Sequence, residues 1–151
     1  MSALVISGSD LIRQLVKQFP YAWNVTLFNN VYCVASREWV DGPFAAYFFD
    51  YLAARDDLKY RSRGNQCEHF ALRALLEAVD LFSKTDDSEI PAEAESIAIA
   101  AASYTRADGA GRHEVNLWYL DGKWVPWEPQ QRRFFTFTEA ECLSVTQAIL
   151  S

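Results

Sequence analysis

The 151-residue sequence predicts a single α+β domain, spanning residues 1–151, in which a central cysteine-bearing helix packs on an antiparallel sheet. Three observations carry that expectation. From Cys67 to Phe82 the apolar positions Cys67, Phe70, Ala71, Ala74, Leu75, Ala78, Val79 and Phe82 recur at helical spacing, with Arg73, Glu77 and Asp80 off the stripe. The run Ser96 to Thr105 has the small and apolar composition of a buried strand. Asp121-Gly122, between two aromatic-rich runs, is the signature of a type I′ hairpin turn.

Composition limits the function classes. A chain of this length buries roughly 70% of the surface that its unfolded form exposes, so it needs no staple to fold. Half of the residues are hydrophobic and 15% are aromatic, which excludes a disordered chain and implies an aromatic-rich core. With 14 Lys and Arg against 20 Asp and Glu the net charge is −6, the wrong sign for a surface that tracks phosphates, so no nucleic-acid partner is expected. Cys33, Cys67 and Cys142 are odd in number and widely spaced, unlike a secreted disulfide framework. The first basic residue is Arg13, and no apolar run approaches a signal or membrane segment. A cytoplasmic protein with no membrane partner is therefore expected.

The other elements can be placed in chain order. Ser9 or Asp10 can cap a first helix whose apolar positions are Leu11, Ile12, Leu15, Val16 and Phe19, with Pro20 just past its end. Residues 21–39 alternate like strands around Asn29-Asn30 and are read as strand or irregular. Asp41-Gly42-Pro43 is a turn, and helix-spaced aromatics run from Phe44 to Leu58. Arg61 to Gln66 is a loop delivering the chain to the cysteine helix, and Lys84 to Glu95 is a polar surface connection. After the hairpin, Phe134 to Phe137 reads as a further strand. Thr138 to Leu150 then reads as a terminal helix opened by Thr138-Glu139-Ala140-Glu141, a near match to a capping box.

The chemistry-bearing residues are arranged around Cys67. It sits at the start of its helix, where amide groups and any nearby imidazolium lower a thiol pKa, and where the same amides can bind an oxyanion. Gln66 and Asn65, just before it, are further oxyanion candidates. Cys33 lies in an apolar, strand-like stretch and Cys142 inside the last helix, where a cysteine acts as a small hydrophobe. If Asp121 and Gly122 fill the turn, Leu120 pairs with Lys123, Val115 faces Glu128 and His113 faces Gln130. His113 and Glu128 are then diagonal neighbours about 7–8 Å apart along one face, close enough for the carboxylate to orient the imidazole. Gln130 is the rival for that orienting role.

Gly64-x-x-Cys67-x-x-Phe70-Ala71, a buried strand, His113 at a strand start, and Gly122-x-Trp124-Val125-Pro126-Trp127-Glu128-Pro129 together resemble the transglutaminase-like branch of the papain-like cysteine enzymes. The resemblance covers residues 58–130 and fits a small single-domain bacterial or phage member. It implies a papain-like core with Cys67 as nucleophile, His113 as base and acid, and Glu128 as orienting acid. Glu128 stands where the family usually carries Asp, and the aromatic that often follows the family's histidine is absent, with Asn116 three residues on. Cys67-Glu68-His69-Phe70-Ala71 is also similar to a pattern in bacterial transglutaminase-like cysteine proteinases, but Gln66 and His69 replace its acids, so its calcium site is not expected here.

The leading expectation is a cysteine hydrolase or acyltransferase acting on an amide or ester bond of a peptide, protein or small amide substrate. A peptidase or amidase fits the size better than a cross-linking enzyme. The alternative is a module that keeps the fold without catalysis and serves as a binding or structural domain. His69, two residues after Cys67, points away from it and belongs to the surface or to a groove. Trp127 or Trp39 is a candidate groove wall, although the tryptophans fit core packing equally. Neither CxxC nor HxxxH spacing is present, so no metal is expected, and no cofactor is implied.

Overall fold

The ladder of apolar residues after Cys67 forms the longest helix of the structure, a computed structural model described over residues 4–61 and 66–151. This helix, α4 (Cys67–Ser83), buries Phe70, Ala71, Ala74, Leu75, Ala78 and Phe82 and lies across a six-stranded sheet. The other helices are α1 (Gly8–Gln18), the short α2 (Arg37–Trp39), α3 (Ala45–Ala54) and α5 (Glu139–Ser144). The strands are β1 (Val5–Ser7), β2 (Asn24–Thr26), β3 (Val31–Cys33), β4 (Ser96–Ile97), β5 (Ile99–Thr105), β6 (Arg112–Leu120), β7 (Lys123–Glu128), β8 (Arg133–Phe134) and β9 (Gln147–Leu150).

Strand order in the large sheet is β2-β9-β5-β6-β7-β8, and β1-β3-β4 form a second, three-stranded sheet. The purely antiparallel sheet expected from the sequence is therefore corrected. β2 runs parallel to β9, and β3 runs parallel to β4. The predicted strand from Ser96 to Thr105 is split at Ala98, whose N–H bonds Cys33 of the small sheet while its carbonyl accepts from Tyr119 of the large one. One residue thus hands the chain from one sheet to the other.

The hairpin has the expected register. Asp121 and Gly122 adopt φ of 49° and 82°, as a type I′ turn demands, and Leu120 pairs with Lys123. Pro126 faces Leu117 within this ladder, and its carbonyl still accepts from Phe135 at 3.1 Å. On β6, side chains alternate between two cores. Val115, Leu117 and Tyr119 join Leu11, Leu15 and Phe19 of α1. Trp118 and Leu120 join α3 and α4. α1 is fixed to the hairpin by a reciprocal pair: Gln18 donates to the Trp124 carbonyl at 2.5 Å and accepts from its N–H at 2.9 Å.

Three local expectations change for physical reasons. Ser7, rather than Ser9 or Asp10, caps α1, accepting from the Asp10 N–H at 3.1 Å. The stretch around Asp41-Gly42-Pro43 is a π-helical turn (Val40–Phe44) joining α2 to α3, with the Ala45 N–H reaching back to Val40. A proline ring crowds the carbonyl four residues before it, and the wider turn accommodates Pro43. The terminal helix starts with the expected capping box, Thr138 with Glu141, but it stops at Ser144 because Val145 is extended. Residues Gln147 to Leu150 then alternate exposed and buried as a strand.

Candidate functional site

The sheet's alternation decides where each candidate residue lies. His113 points to the α1 side, where its Nε2 and Glu128 Oε2 are 2.6 Å apart. Both side chains are largely buried, at 11% and 15% exposure, so this charge-assisted contact is shielded from water. The other Glu128 oxygen accepts from the Gln130 N–H at 3.1 Å. Strand β7 ends at Glu128, so Gln130 lies past the ladder and does not face His113; its backbone holds Glu128 instead.

Around this pair the structure forms an open pocket of ≈ 370 Å³. Tyr104, 4% exposed, meets the His113 ring edge-on at 5.9 Å, and Phe135 and Phe137 close the aromatic layer beneath. Burial and the carboxylates of Glu141 and Glu128 push the Tyr104 phenol up to about 12, so it stays a neutral donor. The rim holds Arg106, ion-paired with Asp108 at 2.5 Å, together with Arg133 and Glu141. Glu141 ties the rim together, accepting from the Thr138 N–H at 2.9 Å and the Ala107 N–H at 3.2 Å. Sequence reasoning missed Tyr104, Arg106, Asp108 and Glu141. The signal in the sequence was a polar turn after a buried strand and a capping-box glutamate, neither of which marks a site until the fold brings them together.

Cys67 is elsewhere. It starts α4 on the opposite face of the sheet, beside Glu114, and does not line the His113 pocket. Among the described residues no hydrogen bond joins its sulfur to the imidazole. Burial raises the thiol pKa above its ordinary value, a hydrogen bond with the Glu114 backbone works against it, and the Glu68 carboxylate, 3.5 Å from the sulfur, adds a smaller push upward. The lowered thiol expected from a helix start is thus corrected: desolvation outweighs the backbone hydrogen bonds that favour the thiolate.

The remaining candidates have structural roles or lie outside view. His69 accepts the Gln66 N–H on Nδ1 at 3.1 Å and so caps α4. Gln66 is the N-cap residue, and its carbonyl accepts from His69 and Phe70. Asn65 lies outside the described residues, as does Gly64. Trp127 is fully buried against Phe44 and Phe48, and Trp39, 8% exposed, stacks on Phe44. Both belong to the core, so the groove-wall expectation is corrected. Among the described residues no cluster of three His, Cys, Asp or Glu side chains could hold a metal, and no helix is long and apolar enough to cross a membrane.

No protein-family model and no curated protein sequence matches the chain. Solved structures share its fold, among them the following two. A chain from a "PSL1a-E64 complex" matches with a TM-score of 0.72 at 14% identity, over 97% of this chain and 51% of that one. A chain of the Polyporus squamosus lectin, bound to the human-type influenza-binding epitope Neu5Acα2-6Galβ1-4GlcNAc, matches with a TM-score of 0.69 at 15% identity, over 97% of this chain and 49% of that one. The chain thus spans about half the length of these structures.

The fold is thus a sheet-rich one shared with these two structures, one of them a lectin chain, and this corrects the transglutaminase-like resemblance and its papain-like fold class. The cysteine hydrolase or acyltransferase expectation falls with it, as does the amide or peptide substrate. The raised Cys67 thiol runs the same way. Of the two sequence readings, the comparisons fit the non-catalytic alternative, a binding or structural module, better than the catalytic one.

Proposed function

We propose that the protein is a carbohydrate-binding module whose ligand sits in the pocket of Tyr104, His113 and Glu128. The observation that carries this reading is the pocket's make-up: an aromatic layer from Tyr104 and Phe135 beneath a ring of closely spaced donors and acceptors, Arg106, Asp108, Glu128, Arg133 and Glu141. A sugar presents an apolar C–H face and a rim of hydroxyls that both donate and accept. Aromatic faces meet the first need, and fixed carboxylate and guanidinium groups meet the second. The fold shared with the lectin chains supports the same reading.

Within it, the His113–Glu128 pair is a recognition element. Glu128 spends one oxygen on His113 and the other on the Gln130 backbone, which fixes the imidazole edge that borders the pocket.

The test is a panel of immobilised glycans that includes Neu5Acα2-6Galβ1-4GlcNAc, probed with labelled wild type, His113→Ala and Glu128→Gln. Saturable binding to one glycan class is expected, weakened about tenfold by either variant, the scale set by losing one charge-assisted hydrogen bond. A panel with no binder up to millimolar concentration overturns the reading, as does binding that both variants retain in full.

A further inference from the structure

The large sheet is wider than the helices on its α4 face. Six strands spaced by about 4.8 Å measure roughly 24 Å across, whereas a helix with its side chains is about 10 Å wide and covers about two of them. α4 lies over β5 and β6, where Asn116 Nδ2 donates to the Ala71 carbonyl at 2.9 Å, and the aromatics of α3 cover Trp127 of β7. On that same face Asn24, Thr26, Gln147 and Ile149 of the outer strands β2 and β9 are exposed.

Among the described residues, the flank of α4 beside these strands is apolar and uncovered. Leu72 is 41% exposed, Leu76 one turn on is 63% exposed, and Ile149 on β9 is 38% exposed. Leu72, Thr26 and Ile149 border a depression of ≈ 230 Å³ that ends at Glu68 and Glu114. Glu114 is half-buried, and burial and then the Glu68 charge raise its carboxyl above the usual range. Arg112, the guanidinium on this face among the described residues, donates to the Ser103 hydroxyl at 2.6 Å. A shelf whose apolar stripe of Leu72, Leu76 and Ile149 borders the short polar side chains Asn24, Thr26 and Gln147 and ends in two adjacent carboxylates is complementary to an amphipathic segment that is cationic at one end.

We propose that this shelf seats an amphipathic helix of a partner protein, whose leucine-type stripe packs on Leu72, Leu76 and Ile149 and whose terminal Lys or Arg meets Glu68 and Glu114. Strands of three and four residues offer about 10–13 Å, the length of roughly two helical turns, so the occupant lies beside α4 as a second helix of the layer. Charge selects against a second copy of this chain, which carries a net −6.

The test uses a fluorescein-labelled, stapled helical peptide of Leu, Ala and Lys, with leucines at i, i+3, i+4 and i+7, followed by anisotropy with the intact protein. Saturable binding that weakens as salt rises is expected. A Lys→Glu peptide should bind at least about tenfold more weakly, and Leu76→Asp should cost wild type about as much. Leu76 is mostly exposed, so that variant keeps the fold, as far-UV circular dichroism checks. Glu68→Gln with Glu114→Gln should flatten the salt dependence. Equal binding of the Lys and Glu peptides, unchanged affinity in Leu76→Asp, or no saturation at millimolar peptide overturns the proposal. So does a dimer of the free protein, seen by sedimentation, that Leu76→Asp dissociates.

Discussion

On one face of β6, Trp118 lies beneath α4 in a sealed layer with Trp39, Phe44, Phe48 and Trp127; on the other, a core shared with α1 opens at His113 into a polar pocket. The sealed face is held by stacked and edge-on rings, with Phe44 within 6 Å of four other aromatic rings. Even its polar atoms are closed off: among the described residues, the Trp118 and Trp127 indole nitrogens and Asn116 Oδ1 are buried without a hydrogen-bond partner. The open face places ionisable groups at the end of the same strands, and each of its carboxylates is committed to a backbone or a side chain. One face therefore stabilises the fold, and the other has fixed polar groups to offer a ligand. Cys67 lies on the first side and His113 on the second, which is why their sequence order suggested a dyad while the environment of the thiol does not supply one.

The largest effect should come from breaking the sealed face. Phe44→Ala removes the ring that touches Trp39, Phe48, Trp118 and Trp127 and should cost about 3–5 kcal/mol in chemical denaturation. A loss under about 1 kcal/mol would mean that the layer repacks and is not the main support. A smaller effect is expected at the rim of the open face. Thr138→Ala removes the acceptor for the Glu141 N–H at the start of α5 and should cost about 1 kcal/mol. It should also loosen Glu141 in the pocket wall, visible as faster amide exchange at Ala107.

The smallest effect should change sign from those two. Glu114 has a carboxyl raised by burial and by Glu68, so its ionised form is penalised in the folded state. The folded value lies above the unfolded one, so the stability contribution is complete below the ordinary carboxylate value of 4.5 and is lost as pH rises through the folded value. Glu114→Gln should therefore unfold at a slightly higher temperature than wild type at pH 7, with the gain vanishing in acid below the ordinary value. A destabilised Glu114→Gln at pH 7 would show that Arg112 holds the carboxylate more strongly than burial opposes it.

The sequence made some of this division legible. Period-3.6 patterning located α4 and its buried stripe, and Asp121-Gly122 fixed the hairpin register, which put His113 and Glu128 on one face. The same register reading failed at Gln130, because a hairpin turn sets how two strands pair but not how far they run, and β7 stops at Glu128. The last strand was hidden by a genuine helix start at Thr138, since four residues of alternation from Gln147 are too few to outweigh a capping box. Trp39 and Trp127 illustrate a general limit: an aromatic residue declares that it will be covered, not whether protein or ligand covers it. The thiol was misjudged for a local reason. Glu68 is adjacent to Cys67 in the sequence, and its opposing charge was readable there, but the burial that dominates the shift appears only in the folded chain.

The most direct test of a binding module against a catalytic one is the pH dependence of iodoacetamide alkylation at Cys67 in the folded protein, read by peptide mass spectrometry beside His113→Ala. Cys67 is expected to react slowly at neutral pH, to accelerate only above the ordinary thiol value of 9.0, and to behave alike in both proteins. Fast alkylation below pH 7 that slows when His113 is removed would reveal a thiolate–imidazolium pair and contradict the account.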